Sequence, residues 1–328
     1  MNSKPLFMGL SHLGQVFSIG WAMKNSTCSV YDMNTANLKS YKLLQFTPEE
    51  PSLKKAYLKV KKKITVCKSI EEVKNHKIIF FTLDTPLNSK GEPDFLVIEK
   101  EIVNLIKKLK NNSHLIICSQ VYCGFTDKIK KLSLKLNKKI NISYMAETLK
   151  MGVALERFLN PEQLIFGTYN DDVILKLFNK YKCPIFTLSY KEAEVIKMAI
   201  NLYLMTSVTY ANGIENFCRE NNFQYQNIIK VLRNDKRIGK HSYIEPSLGI
   251  GGGHLERDHE TIIRNTKDKL TKKLFINMKK HNENRINILF EKIKKIEKIA
   301  KINKILWIGA SYKSESYSLV NSTFHKFV

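Results

Sequence analysis

The sequence predicts an α/β fold in which a doubly wound parallel sheet is followed by an all-helical domain and by the start of a second, similar α/β domain. Three observations predict it. Short apolar strands alternate with helical stretches as far as residue 188, the pattern is helical only from there, and a new apolar run, KILWIGASYK, begins at residue 304. Strands that alternate with helices form parallel sheets with right-handed crossovers. We therefore expect domains at residues 1–188, 189–302 and 303–328.

The expected elements follow from hydrophobic periodicity along the chain. Strands are predicted at PLFMGL, CSVYDMN, KIIFFTLD, HLIICSQV, INISYMAE and QLIFGT, and the alternation ends at CPIFTLSY. Between them, GQVFSIGWAMKN and DFLVIEKEIVNLIKKLK have helical spacing. The proline-free stretch that starts at KEAEVIKMAI and ends at FCRENN predicts one long, largely buried helix. Further helices are expected over YQNIIKVLRND and from DHETIIRN to KKIEKIAK.

Composition narrows the function classes. The chain of 328 residues carries a net charge of +24, but its lysines are spread along the whole sequence without an arginine and aromatic recognition pattern. A basic surface alone is a weak indication of nucleic acid binding, so we expect no nucleic acid partner, and the charge equally favours a phosphorylated substrate.

Location and redox state are also bounded by the sequence. No apolar run approaches the roughly 20 residues of a membrane span, and the N-terminus lacks the features of a secretory signal. The six cysteines form no CxxC pair, and no Cys/His cluster has zinc spacing. We expect a cytoplasmic protein without a membrane partner, a disulfide framework or a metal site.

The segment MGLSHLGQVFSIG lies between the first predicted strand and helix, where a dinucleotide-binding loop belongs. Its G-x-G-x-x-G fingerprint reads Gly9-x-Ser11-x-x-Gly14, so Ser11 replaces the glycine that lets the backbone approach a pyrophosphate. Asp32 ends the second strand, where an acid can accept hydrogen bonds from ribose hydroxyls and repels a 2′-phosphate. The alternative is a strand-end aspartate that starts a turn. The pattern predicts a Rossmann-type domain that binds NAD rather than NADP through Gly9, Ser11, Leu13, Gly14 and Asp32.

Three polar residues farther along the chain are candidates for chemistry. Lys197 and Asn201 are four residues apart on the long helix and therefore on one face, which is otherwise apolar. A buried ammonium needs a partner or a chemical role; the structural alternative is a lysine that extends to solvent. Glu147 follows a strand at the edge of the sheet where ligands collect, although by itself it is more simply interpreted as a helix-start acid.

The stretch LGIGGGHLERDH predicts a loop that wraps closely around a ligand. Gly249, Gly251, Gly252 and Gly253 permit positive φ angles and leave backbone N–H groups uncovered. Asp258 is expected at the start of the following helix, where it either caps the helix or acts as a base.

Together these motifs resemble the UDP-glucose/GDP-mannose dehydrogenase family over about residues 5–322. The family motifs G-L-G-Y-V-G, V-P-T-P, S-T-V-P-x-G and N-P-E-F-L-R-E-G are similar to GLSHLG, LDTP, SQVYCG and MAETLKMG, and the N-P-E segment continues to a proline and a strand at NPEQLIFG. Its K-x-x-x-N, D-x-R-I-G and P-G-x-G-F-G-G-S-C-F-P-K-D motifs resemble Lys197 with Asn201, residues 235–239, and PSLGIGGGHLERD.

The resemblance implies more than the residues alone. It implies an NAD-dependent oxidation at the CH–OH group of a nucleotide sugar, a helical dimerisation domain after the Rossmann-type domain, a homodimer formed through the long helix, and a stub of a second Rossmann-like domain. It also places two sets of residues. Near the cofactor it places Thr85, Gln120 and Glu147; at the substrate it places Lys197, Asn201, Arg237, Tyr243, Gly249, Gly251, Gly252 and Lys313.

The departures from the family pattern fall at the chemistry. The cysteine that attacks the aldehyde in the family is His254 here, the lysine of its K-D is Arg257, and the threonine of its S-T-V-P is Gln120. The family oxidises an alcohol twice, and its second oxidation passes through a thiohemiacetal. Because an imidazole adds to aldehydes only weakly, we expect one hydride transfer to NAD instead of two.

For that single step the retained residues can be assigned roles. Lys197 is expected to stabilise the developing alkoxide and Asn201 to orient substrate or water. Asp258, Glu147 or His254 would accept the proton. The alternative for His254 is that it only fills the space of the lost cysteine.

Other interpretations stay open beside this one. Cys123 could be a relocated nucleophile, although the sequence shows no base beside it. A two-domain β-hydroxyacid dehydrogenase also has a lysine and an asparagine four apart on a helix and performs one oxidation, but the glycine loop and the LDTP segment argue against it. A catalytically inactive NAD-binding homologue that acts as a partner or regulator is the third function.

Overall fold

The computed structural model of the protein describes residues 4–46, 49–86, 88, 93–251, 253–301, 304–311, 319 and 322–324, with only the backbone at residues 253, 254, 256 and 257. The chain divides into two compact units, Met1–Lys197 and Met198–Val328. No helix within the described residues is long and apolar enough to cross a membrane.

The first unit is built on one sheet. Its strands are β1 (Leu6–Met8), β2 (Cys28–Tyr31), β3 (Ile64–Val66), β4 (Ile78–Phe81), β5 (His114–Ile117), β6 (Asn141–Met145), β7 (Leu164–Gly167) and β8 (Ile185–Leu188). The strand order is β3-β2-β1-β4-β5-β6-β7-β8, whose first six positions are those of the doubly wound dinucleotide-binding fold. The predicted Rossmann-type sheet is therefore confirmed.

Helices connect these strands. They are α1 (His12–Lys24), α2 (Thr35–Lys42), α3 (Leu53–Val60), α4 (Ile70–Val73), α5 (Phe95–Lys108), α6 (Phe125–Lys135), α7 (Ala154–Leu159) and α8 (Asp171–Leu177). The amphipathic pattern of α5 explains its orientation, because Ile98, Ile102, Leu105 and Ile106 form its buried face. Asp94 accepts hydrogen bonds from two N–H groups in its first turn and so fixes where it begins.

One pair of strands differs from the predicted parallel sheet. β7 runs antiparallel to β6, with Tyr144 opposite Gly167, whereas the other described pairs are parallel. A strand that is buried on both faces is a continuous apolar run in either direction. The sequence of β7 therefore indicates a strand but not its direction.

The centre of the sheet is packed by aromatic side chains. Phe7 of β1 stacks on Phe80 of β4 with ring centroids 4.8 Å apart, and Trp21 of α1 packs against both. Phe178, after α8, closes the same cluster. This packing fixes α1 against the sheet and thereby the loop that joins β1 to α1.

Helices make up the second unit. Helix α9 (Tyr190–Glu220) begins in the first unit and continues into the second, and it confirms the predicted long helix. It is followed by α10 (Tyr225–Asn234), α11 (Gly253–Asn265) and α12 (Lys269–Ala300). The predicted helical stretch after residue 258 is interrupted before α12, where the Asp268 side chain accepts a hydrogen bond from the Thr271 N–H and caps a new helix.

The predicted strand at residue 304 is wrong for the part that the structure describes. Residues 304–310 form no strand, and the side chains of Leu306 and Ile308 are 85% and 87% exposed. A strand is stable only when it pairs with a neighbour and covers a buried face, and this run has neither among the described residues. The domain boundaries at 188 and 302 stay predictions.

Candidate cofactor and substrate site

The loop between β1 and α1 depends on two glycines. Gly9 has a φ of +100°, and a Cβ atom there would lie 2.6 Å from the backbone nitrogen of Leu83. A Cβ on Gly14 would overlap the carbonyl oxygen of Gly9. The Gly9 N–H donates to the carbonyl of Tyr31 at 2.9 Å. The glycines therefore let this loop press against the ends of the neighbouring strands.

Ser11, at the position of the missing glycine, leaves the start of α1 open. Its hydroxyl donates to the carbonyl of Thr82 at 2.9 Å and does not cap the helix. The first N–H groups of a helix have no partner within it, and the first turn of α1 contains no acid. Such a helix start binds phosphate, so the loop fits the diphosphate of a dinucleotide. The Leu13 side chain is buried in the core.

Asp32 lies directly after β2 and is 4% exposed. It accepts hydrogen bonds from the N–H groups of Leu10 at 2.6 Å and Asn34 at 2.8 Å, and from the Asn37 side chain at 3.1 Å. It thus both starts a turn and ties the dinucleotide loop to β2. A carboxylate can accept about four hydrogen bonds, which leaves capacity for a ribose hydroxyl; that role stays a prediction.

Thr85 and Gln120 are brought together at the same edge of the sheet. The Thr85 hydroxyl donates to the Gln120 carbonyl at 2.6 Å, and Thr85 is 7% exposed. These residues follow β4 and β5, so their contact joins the carboxyl ends of these two neighbouring strands. Their place near the cofactor stays a prediction.

Glu147 and Lys197 form an ion pair within the first unit. The Lys197 Nζ lies 3.6 Å from Glu147 Oε2, and the two side chains are 14% and 21% exposed. The Leu149 N–H donates to Glu147 Oε1, so Glu147 is held by the backbone that follows it. Lys197 therefore has an acidic partner, as expected of a lysine whose side chain is only 14% exposed.

Asn201 and Asp258 form a pair within the second unit. The Asn201 amide donates to Asp258 Oδ2 at 2.6 Å, and Asp258 is 5% exposed. The capping role considered for Asp258 is wrong, because α11 begins at Gly253 and places Asp258 in its second turn. Helix α11 starts earlier than the sequence suggests since the end of the glycine loop is already helical. The Asp258 carboxylate is therefore buried in this turn and bound to Asn201.

The glycine loop is shaped by side chains that the sequence analysis did not identify. Asn282 of α12 accepts from the Ile250 N–H at 2.6 Å and donates to the Ile250 carbonyl at 3.2 Å. Gly249 has a φ of +141°, and a Cβ there would lie 3.3 Å from the Asn282 side-chain oxygen. Asn212 of α9 accepts from the Ser247 N–H at 2.7 Å. Two helices therefore fix the path of the loop.

Arg285 adds a buried charge to this support. It is 9% exposed, donates to the Ser247 carbonyl at 3.1 Å and contacts Glu215 at 2.8 Å and Asn216 at 2.7 Å. A buried arginine is stable only when its N–H groups are paired, so Arg285 links the loop to α9 rigidly. No local motif predicts Asn282 or Arg285, because their partners are distant in sequence.

Two predicted substrate residues lie apart from the glycine loop. The Arg237 side chain is 88% exposed and bonded to Asp235 at 2.6 Å, and Tyr243 is 44% exposed. Within the described part of the chain neither has a hydrogen bond or ion pair with the loop. Four other predicted positions lie outside what the structure describes: Gly252 and Lys313 entirely, and the side chains of His254 and Arg257. The backbone of His254 is in the first turn of α11.

Family models decide the identity of the fold. The NAD binding domain of the UDP-glucose/GDP-mannose dehydrogenase family matches residues 4–183, and the central domain of the same family matches residues 191–284. The chain belongs to the UDP-glucose/GDP-mannose dehydrogenase family. The predictions of this family and of NAD as the cofactor are confirmed.

Curated members of the family are similar over most of the chain. UDP-glucose 6-dehydrogenase of Campylobacter jejuni is 29% identical over 272 residues, which are 80% of this chain and 67% of the relative. A putative UDP-glucose 6-dehydrogenase of Bacillus subtilis is 24% identical over 254 residues, or 75% of this chain and 59% of the relative. The chain thus spans about three fifths to two thirds of these relatives.

Solved structures of the family share the fold. A UDP-glucose dehydrogenase from Pyrobaculum islandicum has a TM-score of 0.88 at 20% identity and covers 99% of this chain and 78% of that chain. A UDP-D-ManNAc dehydrogenase from Pyrococcus horikoshii has a TM-score of 0.86 at 21% identity, covering 98% and 79%.

Cys123 does not replace the family cysteine well. It is exposed, and its pKa is raised by partial burial and by the charges of Glu194 and Asp127, with Lys191 acting in the opposite direction. Since the thiolate is the nucleophile, a raised pKa makes this thiol less reactive. Within the described residues no three His, Cys, Asp or Glu side chains form a group that could hold a metal ion.

Proposed function

We propose that the protein is an NAD-dependent dehydrogenase that oxidises a CH–OH group of a nucleotide sugar. One observation carries the proposal: the Lys197 side chain is 14% exposed, and its ammonium lies 3.6 Å from the carboxylate of Glu147. A buried cation beside a proton acceptor is what alcohol oxidation needs, because negative charge develops on the oxygen as its proton leaves. The open N-terminus of α1 in the same unit supplies the place for the cofactor diphosphate.

The roles follow from the balance of the reaction, in which CH–OH becomes C=O with the loss of a hydride and a proton. NAD, when bound, accepts the hydride. Lys197 donates hydrogen bonds to the substrate oxygen and stabilises its charge, and Glu147 accepts the proton. Asn201, held by Asp258 at 2.6 Å, orients the substrate hydroxyl or a water molecule. Asp258 and His254 are the alternative bases.

The number of oxidations is set in this proposal by His254. Without a thiol at that position no thiohemiacetal forms, so the product is the aldehyde and one NADH is made per sugar. UDP-sugars are the first substrates to test, since the relatives are named for UDP-glucose and UDP-D-ManNAc. The remaining substrate contacts in the proposal are those of the glycine loop, Arg237, Tyr243 and Lys313.

We further propose that the protein works as a cytoplasmic homodimer that associates through α9. Tyr203, Tyr210 and Phe217 recur every seven residues on α9 and are 64%, 48% and 55% exposed, which gives one aromatic stripe along the helix. All six cysteines are free thiols, as in a reducing compartment. Light scattering should give a dimer that Tyr210→Glu converts to a monomer; an unchanged mass would contradict the interface.

The experiment that tests the activity is NADH formation, followed by absorbance, with NAD and a panel of UDP- and GDP-sugars. We expect one NADH per sugar, and a loss of about 10²-fold or more in kcat for Lys197→Ala. Lys191→Ala is the matched control, because Lys191 lies on the same helix with its side chain 65% exposed. Two NADH per sugar would contradict the role of His254. NAD binding without turnover of any sugar would favour a non-catalytic partner or regulator of an intact dehydrogenase.

A further inference from the structure

A buried carboxylate outside the predicted site joins two parts of the first unit. Glu50, between α2 and α3, has a side chain that is 1% exposed. Its Oε2 accepts from the His12 ring Nε2–H and from the Gly152 N–H, both at 3.0 Å, and its Oε1 accepts from the Ala154 N–H at 2.7 Å. The three donors come from segments that are 38, 102 and 104 residues away in sequence.

Glu50 is ionised although it is buried, so its carboxylate depends on these hydrogen bonds. Burial by itself raises the pKa of this carboxyl, but the hydrogen bonds from His12, Gly152 and Ala154 outweigh it and hold the pKa below its ordinary value. Glu50 is therefore ionised at neutral pH. An ionised group away from water requires well-placed partners, so Glu50 and its donors constrain one another's positions.

The two sides of this contact are the two halves of the proposed reaction centre. His12 is the first residue of α1, where the Ser11 side chain does not cap the helix N–H groups and the dinucleotide loop ends. Gly152 and Ala154 belong to the segment that leaves Glu147 and enters α7. A shift of Glu50 would therefore move both the cofactor end and the segment that carries the proton acceptor.

We propose, on the basis of the proposed function, that Glu50 is a positioning residue. It holds the dinucleotide loop and the segment that follows Glu147 in their places at the same time. Through His12 it fixes the entrance of the dinucleotide loop, and through the amides of Gly152 and Ala154 it fixes the segment of Glu147. The His12 ring donates to the Glu50 carboxylate and is 13% exposed, so it would offset part of the Glu50 charge if a diphosphate is held at the start of α1.

The experiment compares three variants of the full chain, each at a temperature at which it is folded. The NAD and ADP-ribose dissociation constants are measured by calorimetry, and amide exchange is measured for the peptide that contains residues 147–155. For Glu50→Ala we expect about a tenfold weaker binding of both ligands, faster exchange of that peptide, and a lower kcat at saturating NAD. Glu50→Gln, which keeps one acceptor oxygen, should restore part of each effect.

His12→Ala separates the two halves. We expect it to weaken binding of NAD and ADP-ribose by a similar factor, but to leave the exchange of the 147–155 peptide as in the parent. His114→Gln is the matched control, because His114 is also a buried histidine with a side-chain partner, Ser143 at 2.8 Å, but lies at the amino end of its strand, whereas the dinucleotide loop follows the carboxyl end of β1. It should lower the melting temperature and change neither readout.

Several results would overturn the inference. Binding constants for Glu50→Ala equal to those of the parent would show that Glu50 only stabilises the fold, as would effects no larger than those of His114→Gln. Unchanged exchange of the 147–155 peptide in Glu50→Ala would refute the link to Glu147. If the parent turns over no sugar, the proposed function fails, but ligand binding and exchange still decide the role of Glu50.

Discussion

The dinucleotide loop and the glycine loop are both rich in glycine, but different forces hold them in place. The dinucleotide loop is fixed by close backbone packing, with Gly9 against Leu83 and Gly14 against Gly9. The glycine loop is fixed by side chains of α9 and α12, above all Asn282 and Arg285. A sequence motif predicts the glycines that allow close backbone packing. It does not predict side chains from distant helices that hydrogen-bond to a loop.

The same contrast holds for the chemistry. The cofactor end departs from the family pattern at Gln120 and at Ser11, whose hydroxyl donates to the Thr82 carbonyl. The glycine loop leads into α11 with a histidine in place of the family cysteine. We therefore expect changes at the dinucleotide loop to alter NAD affinity but hardly the sugar KM. Changes at the glycine loop should alter the sugar KM but hardly the NAD affinity.

The largest effect is expected from Gly14→Ala. Because the added Cβ would overlap the Gly9 carbonyl oxygen, the loop must move, and we expect NAD binding to weaken by at least about 100-fold. Calorimetry measures it. The control is Gly213→Ala in α9, where the nearest atom to a Cβ is 3.9 Å away; it should keep NAD affinity and stabilise the helix by up to about 1 kcal/mol. Equal affinities for both variants would contradict the packing argument.

The second prediction concerns the support of the glycine loop. Asn282→Ala leaves the buried Ile250 N–H without its acceptor, which costs about 1–3 kcal/mol, so we expect the sugar KM to rise about tenfold while the NAD dissociation constant stays the same. Steady-state kinetics and calorimetry measure the two values. Asn284→Ala, at an exposed position of the same helix, is the control. An equal loss of NAD affinity in Asn282→Ala would break the division between the loops.

Most elements of the first unit could be predicted from sequence because each repeats a local pattern. The exceptions have physical causes. β3 is only three residues, Ile64–Val66, next to a run of lysines, so it has no apolar run of its own. The direction of β7 depends on its neighbour and is not written in its composition. In the second unit, the run at residue 304 has the sequence of a strand but no partner strand among the described residues.

The residues of the candidate site could be predicted where a local sequence motif requires one residue type for one role. Gly9 and Gly14 lie in the loop between β1 and α1, and Lys197 lies on α9, as the sequence predicts, whereas Asp258 lies in the second turn of α11 and not at its start. His12 and Glu50 were not predicted, since their contact joins positions 38 residues apart and an acid between two helices has no distinctive local signal. Asp32 was predicted, but not its bond to the Leu10 N–H, which couples β2 to the dinucleotide loop.

The third prediction tests that coupling. Asp32→Asn keeps the side-chain shape but removes the charge and one acceptor, so we expect NAD affinity to fall about fivefold and discrimination against NADP to weaken by a similar factor. Binding constants for NAD and NADP measure both. The exposed Asp172, in the first turn of α8, gives the control Asp172→Asn. Lower NAD affinity without a change in discrimination would show that Asp32 only shapes the loop.

The smallest expected effect concerns the contribution of His114 to stability. This residue lies at the amino end of β5, whereas the dinucleotide loop follows the carboxyl end of β1. Burial lowers the pKa of His114 from 6.5 to about 4, so the folded protein keeps this ring neutral at a pH where the unfolded chain protonates it. The unfolded state then binds more protons, and the free energy of unfolding decreases as pH falls from about 6.5 towards 4. We expect His114 to contribute about 1 kcal/mol of this loss between pH 6.5 and 5.5. Denaturant unfolding of the parent and of His114→Gln should show the smaller slope in the variant, with equal NAD affinity at pH 7. Identical slopes would mean that other histidines set the pH dependence, and altered NAD affinity would mean that this end of the sheet is coupled to the cofactor loop after all.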